Sequence, residues 1–153
     1  MKIRLADQSD IDALVSFNQA MALETEGKSL EAEVLRPGVA AVFTDSNKGF
    51  YVVASDVDYI VAGLLVTFEW SDWRNKWFWW IQSVYVQPEH RGKSVYRQMY
   101  EFVKGLADAR KDVCGFRLYV ENDNTNARRV YEKLGMSESH YLMYEEEKEN
   151  RNP

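Results

Sequence analysis

The chain has 153 residues, 46% of them hydrophobic and 28% charged, with 8 glycines and 3 prolines. That excludes a disordered tail, a collagen-like fibre or a low-complexity linker, and it leaves room for one sizeable core but not for two ordinary domains. A net charge of −5 argues against general nucleic-acid binding, which needs a basic field to displace counterions, and fits a neutral or cationic partner better. The one cysteine, Cys114, cannot form an internal disulfide, and two histidines make no zinc cluster, so no metal is expected. The N-terminal MKIRLADQSD lacks an apolar signal-peptide core and no stretch is apolar enough to span a bilayer. No membrane partner and a reducing, cytoplasmic setting are therefore expected.

In chain order, residues 2–5 alternate polar and apolar and predict a short strand. Ser9 with Asp12 three residues on forms a capping-box pattern, after which Ile11, Leu14, Val15, Asn18, Met21 and Ala22 share one helical face, ended by Gly27. Residues 29–34 predict a helical turn or two broken at Pro37, and residues 39–43 a separate short helix. Strands are expected at 50–54, 59–68 and 77–86, the last stopped by Gln87-Pro88-Glu89. A helix follows at 94–110, with Val95, Met99, Phe102, Val103 and Leu106 on one face. The remaining elements are a strand at 116–120, a helix at 125–134 and a last strand at 140–144. The order β-α-α-β-β-β-α-β-α-β predicts a mixed α/β fold, a mostly antiparallel sheet with helices on both faces. One domain is expected over residues 1–145, with a polar tail at 146–153.

Chemistry concentrates where the strand at 77–86 turns through Glu89-His90-Arg91-Gly92-Lys93-Ser94 directly into a helix. The first amides of that helix have no intrahelical acceptor, and its dipole places partial positive charge there. With Arg91 and Lys93 beside them, the amides of residues 92–96 form a plausible cradle for a pyrophosphate. An ordinary helix start with solvated basic residues is the competing reading.

This segment resembles the GNAT superfamily of acyl-coenzyme-A-dependent N-acetyltransferases, whose Arg/Gln-x-x-Gly-x-Gly/Ala loop wraps the coenzyme A pyrophosphate. Arg91-Gly92-Lys93-Ser94-Val95-Tyr96 stands in that register, with Ser94 for the first motif glycine and Tyr96 for the second small residue. A second resemblance runs from Asn124 through Ala127 and Tyr131 to Gly135, similar to the family's Asn-x-x-Ala-x-x-x-Tyr segment. The resemblance implies a sheet splayed at its centre and acetyl-CoA as co-substrate. It also implies that Asn124 reaches the pantetheine arm, that Tyr131 protonates the departing thiolate, and that the backbone of Val84, Tyr85 and Val86 pairs with the pantetheine amides. An N-cap role for Asn124 and a core role for Tyr131 stand beside these.

The family's strand often carries a glutamate as general base; here that place holds Gln82, which cannot accept a proton at neutral pH and could instead orient a water or hold the acceptor. Glu69 is the leading replacement, with Asp72 and Glu121 as others; each is equally a solvated carboxylate. Trp77 with Trp79, and Phe78 with Trp80, should cover opposite faces of a hairpin. Trp70 and Trp73 then either wall an acceptor pocket, with Glu69 or Asp72 attracting a protonated amine, or serve a structural or homodimer contact. Glu24 and Glu26 are a second acidic spot. The function implied is acetyl transfer to a small-molecule or peptide amine by direct attack, since Cys114 lies away from both motifs. A catalytically silent acyl-CoA-binding domain is the alternative. A nucleotide-binding module would want glycines after the first strand, where Ala6-Asp7-Gln8-Ser9 has none.

Overall fold

Arg4 and Asp10 join the first strand to the first helix. The Asp10 carboxylate is buried and takes two guanidinium bonds from Arg4, at 2.7 and 3.0 Å. The computed structural model describes residues 1–150 and divides into two compact units, Met1–Tyr119 and Val120–Pro153. The first unit holds β1 (Lys2–Leu5), α1 (Ile11–Glu26), α2 (Ala32–Thr44), β2 (Phe50–Asp56), β3 (Tyr59–Ser71), β4 (Lys76–Val86), α3 (Val95–Asp108) and β5 (Val113–Arg117). Its five strands lie in the order β1-β2-β3-β4-β5; the first four are antiparallel neighbours, and β4 and β5 are parallel. The second unit holds α4 (Thr125–Lys133) and a single 3₁₀ turn, Lys148–Asn150.

Helices cover both faces of the sheet, as the order of elements predicts. On one face Leu14, Val15 and Phe17 of α1 and Val39 of α2 pack with Tyr51, Val53 and Tyr85. On the other, Tyr100 of α3 meets Phe116 of β5 edge-on, and Phe116 in turn meets Trp79 of β4. Gly63 marks the closest approach of α1 to the sheet, since a Cβ there would stand 2.9 Å from Leu14 Cδ2.

Five sequence expectations need correction. The capping box is Asp7 with Asp10 rather than Ser9 with Asp12, because the buried ion pair to Arg4 fixes Asp10 at the helix entry. Pro37 does not break the second helix; it lies in the sixth position of α2, on the exposed side, where its ring removes only the bond to the Glu33 carbonyl. Residues 29–31 stay outside that helix. β5 runs three residues earlier than predicted, so Cys114 lies inside the strand, with its thiol donating to the Trp77 carbonyl at 3.3 Å.

Residues 140–144 form no strand, although their composition suggests one. Tyr141, Leu142, Met143 and Tyr144 are exposed, and alternation makes a strand only where a neighbour completes the ladder. Of the tail expected at 146–153, residues 151–153 lie outside the described residues.

Candidate functional site

β4 does not run straight. Gly63 of β3 faces Tyr85, yet Leu65 faces Gln82, so Ser83 and Val84 together oppose Leu64. This is a β-bulge, and Ser83 adopts the left-handed region at φ +51 to make it. Strict alternation would put Gln82 and Tyr85 on opposite faces. The bulge puts both on the α1 side, where Tyr85 packs against Phe17 at 5.3 Å and Gln82 donates to the Thr67 hydroxyl at 2.7 Å.

The bulge also ends the pairing with β5. The parallel ladder stops at Trp80 opposite Arg117, whereas β4 continues to Val86. Residues 82–86 therefore present backbone groups toward a side with no ladder partner from β5, a wedge that an extended amide-bearing chain could fill. Val84, Tyr85 and Val86 lie on it, though the Val86 carbonyl already accepts from Arg91 Nε at 2.8 Å.

From Val86 the chain passes a 3₁₀ turn, Pro88–His90, and reaches the loop before α3. Gly92 at φ +75 and Ser94 at φ +63 are both left-handed, the backbone pattern from which anion-binding concavities are built. Ser94 is the N-cap of α3 and makes no side-chain cap. The first internal bond of the helix is Gln98 N–H to the Ser94 carbonyl, so the amides of the first turn, Val95 and Arg97 among them, precede the helical ladder. Tyr96 stacks parallel on Tyr100 one turn along, at 6.0 Å and 5°, so its ring lies along α3. Lys93 has its side chain exposed beside this loop. Arg91 instead reaches back to Glu24 at 2.8 Å and over the Tyr85 ring.

Two carboxylates flank Gln82 on the α1 face, and each is engaged twice. Glu24 takes Arg91 and, at 3.2 Å, the Tyr85 hydroxyl. Glu69 takes the Trp80 indole at 2.8 Å and Arg117 at 2.9 Å. Partial burial raises the Glu69 pKa, but the bonds from Trp80 and Arg117 outweigh it and hold the carboxyl below its ordinary value. Burial, reinforced by the Glu24 charge, pushes the Tyr85 phenol up.

Other expected residues lie elsewhere. Trp70 packs edge-on against Trp77 at 4.9 Å, on the sheet face opposite Glu69 and Gln82. Trp73 is 88% exposed at the hairpin tip, where Asp72 accepts from the Trp73 amide at 2.9 Å. Glu26 pairs with Lys28 at 3.7 Å. In the second unit, Asn124 caps α4, its side-chain oxygen accepting from the Ala127 amide at 3.1 Å, which leaves its amide nitrogen as a donor. Tyr131 lies on α4, and burial raises its phenol pKa.

Arg117, Trp80 and Thr67 are contributors that sequence reasoning does not single out. The available signal is cross-strand register: with Glu69 opposite Phe78, Trp80 becomes its diagonal neighbour. Among the described residues no group of three or more His, Cys, Asp or Glu is placed to hold a metal, and no helix is long and apolar enough to cross a membrane.

A family model described as the acetyltransferase (GNAT) family matches residues 14–136. Among solved structures, a possible acetyltransferase from Clostridium difficile 630 superposes with a TM-score of 0.89, at 46% identity over 95% of this chain and 96% of that one. A predicted acetyltransferase with acetyl-CoA from Clostridium acetobutylicum gives a TM-score of 0.78 at 20% identity, over 95% of both chains. A transcriptional regulator from Bacillus halodurans C-125 gives 0.80 at 22% identity, over 95% of this chain and 98% of that one. At such identities the last two show the fold alone. A comparison with functionally curated proteins finds no match. The family match extends from α1 to just beyond α4 and so takes in the bulged strand, the left-handed loop and the Asn124 cap: this chain belongs to the GNAT acetyltransferase family, and acyl transfer is its chemistry.

Proposed function

We propose that the protein is an acetyl-CoA-dependent N-acetyltransferase that acetylates a primary amine by direct attack. The observation that carries this reading is the pair of left-handed residues, Gly92 and Ser94, opening α3 just after a strand that has no ladder partner from β5 between Gln82 and Val86. The pyrophosphate is received by the amides of residues 92–96, with Lys93 adding charge. Arg91, tied to Glu24 and Val86, shapes the loop instead of reaching for phosphate. The pantetheine amides pair with Val84 and Tyr85 as a short pseudo-strand, and Asn124 Nδ2 supports the arm. A backbone amide in the same wedge polarises the thioester carbonyl.

The amine lone pair then forms the new C–N bond, the C–S bond breaks, and the leaving sulfur takes its proton from Tyr131. A phenol is protonated at neutral pH, and burial raises the Tyr131 pKa further above its ordinary value. The amine proton passes to water. Gln82 cannot take it, and Glu69, read from sequence as the base, is held in a weakly basic form by Arg117 and Trp80. Glu69 is therefore assigned to positioning, and the acceptor enters as the neutral amine.

The test is amine-dependent thiol release from acetyl-CoA, paired with a melting curve. The same engaged carboxylates favour a second reading, a silent acyl-CoA-binding domain. Stabilisation by acetyl-CoA without release for any amine would select that reading. A melting curve unmoved by millimolar acetyl-CoA overturns both.

A further inference from the structure

We propose that Glu24, at the end of α1, is a positioning residue for the coenzyme: through Arg91 it holds the loop at 92–94 in the shape that receives pyrophosphate. This deepens the acetyltransferase reading and rests on it. Glu24 is badly placed for its own helix. It lies in the last turn of α1, where the dipole disfavours a carboxylate and no basic residue stands in the same turn to offset it. Its charge is met from outside the helix. Arg91 donates through Nη2 to Oε2 at 2.8 Å, and the Tyr85 hydroxyl donates to Oε1 at 3.2 Å.

Arg91 is engaged three ways. Nε donates to the Val86 carbonyl at 2.8 Å, Nη2 reaches Glu24, and the guanidinium carbon stands 5.4 Å from the centroid of the Tyr85 ring. Tyr85 is itself buried and packs on Phe17 of α1 at 5.3 Å. Glu24, Arg91 and Tyr85 thus form a closed cycle that joins the end of α1, the end of β4 and the residue before Gly92. An isolated ion pair as exposed as Glu24 and Arg91 would stabilise little. In the cycle each of the three side chains is held by the other two, so the guanidinium fork has a fixed direction.

The loop has little else to hold it. Gly92 has nothing within 4 Å of where a Cβ would lie, Lys93 is exposed, and Ser94 makes no side-chain cap. The next buried side chain is Val95, at the start of α3. Residues 92–94 are therefore a short span between two fixed points, the Arg91 side chain and Val95, and the span begins on a glycine, the least restrained backbone. Fixing the first point restricts the conformations the loop can sample and lowers the ordering cost when phosphate binds. The contribution of Arg91 is geometric, because its fork is directed to Glu24 and Val86.

The test is calorimetric binding of acetyl-CoA to the wild-type chain, Glu24→Gln, Arg91→Lys and the double variant, with a thermal melt of each. Glu24→Gln is expected to raise Kd about 3–10-fold. Arg91→Lys keeps the charge but loses the fork, and should weaken binding as much. The double variant should match either single one within about 2-fold, because the same cycle is broken in all three. Tyr85→Phe keeps the ring and removes one bond to Glu24, so a smaller rise in Kd is expected; it keeps the test decisive should an Arg91 variant fail to fold. A tighter Kd in Glu24→Gln would mean that Arg91 is a phosphate ligand withheld by Glu24, and would overturn the proposal. Wild-type affinity in Arg91→Lys would overturn it by showing that charge suffices. An unchanged Kd in Glu24→Gln, with or without a lower Tm, would leave Glu24 a structural or amine-facing group and overturn it too, with the acetyltransferase reading intact. A wild-type chain that binds no acetyl-CoA would remove that reading and this one together.

Discussion

In the proposed mechanism Tyr131 and Gly92 act at the scale of single residues, and they should fail differently when changed. Tyr131→Phe keeps the ring and removes the proton, so stabilisation by acetyl-CoA should persist while kcat falls roughly 10²–10⁴-fold, the usual range for general acid–base catalysis. Unchanged turnover would reduce Tyr131 to a packing residue. Gly92 has φ +75 and nothing within 4 Å of where a Cβ would lie, so its constraint is backbone conformation, not space. Gly92→Val should abolish the acetyl-CoA-induced rise in Tm while leaving the Tm of the free protein within a few degrees, because a β-branched residue is strained in the left-handed turn that aims the amides and this exposed loop can relax away from it. A ligand-induced shift equal to that of the wild type would show that the loop amides do not bind phosphate.

At the scale of elements, left-handed non-glycine residues in the sheet region differ in what they do. Ser83 at φ +51 makes the β4 bulge and brings Tyr85 to the same face as Gln82. Val57 at φ +57, in the β2–β3 turn, is 88% exposed and β-branched, with no comparable consequence. Val57→Gly removes that strain and should raise stability by about 1 kcal/mol, or a Tm gain of about 2–4 °C. A thermal melt checks it, and a fall in Tm would show that the added chain entropy of glycine outweighs the relieved strain. The hairpin strands were legible from alternation and turn residues. The bulge was not, because Ser83 carries none of the glycine signature that usually marks a left-handed strand position.

At the scale of the whole molecule, stability should decline steeply in alkali. Burial raises the pKa of Tyr51, which stacks on Phe43, and of Tyr100, which lies between Tyr96 and Phe116. For an acid whose folded pKa exceeds its unfolded value, the native state keeps a proton that the unfolded chain has released. The contribution is complete below about pH 10 and is lost as pH rises through the raised values, at up to about 1.4 kcal/mol per pH unit for each proton. Tm measured from about pH 8 to 11 should fall past pH 10, and Tyr51→Phe or Tyr100→Phe should flatten the decline. A Tm that holds through pH 11 would contradict it.

The sequence alone determined the features written in short spacings: a strand stopping at Pro88, a glycine-bearing loop, a helix beginning at once, and an asparagine capping the next helix. Hydrogen bonding within a turn and periodicity within an element act over a few residues, so the loop at 92–96 and the Asn124 cap can be read without coordinates. Tertiary structure decided the electrostatics of the acceptor side. Glu69 meets Arg117 at a separation of 48 residues and Glu24 meets Arg91 at 67, and no local pattern encodes either pairing. Glu69, which reads as a base in isolation, becomes an ion-paired, weakly basic group once Arg117 from a distant strand reaches it, and Glu24 becomes the ion-pair partner of Arg91. That long-range compensation, together with the bulge that gathers Gln82 and Tyr85 onto one face, sets the charge on the α1 side of β4.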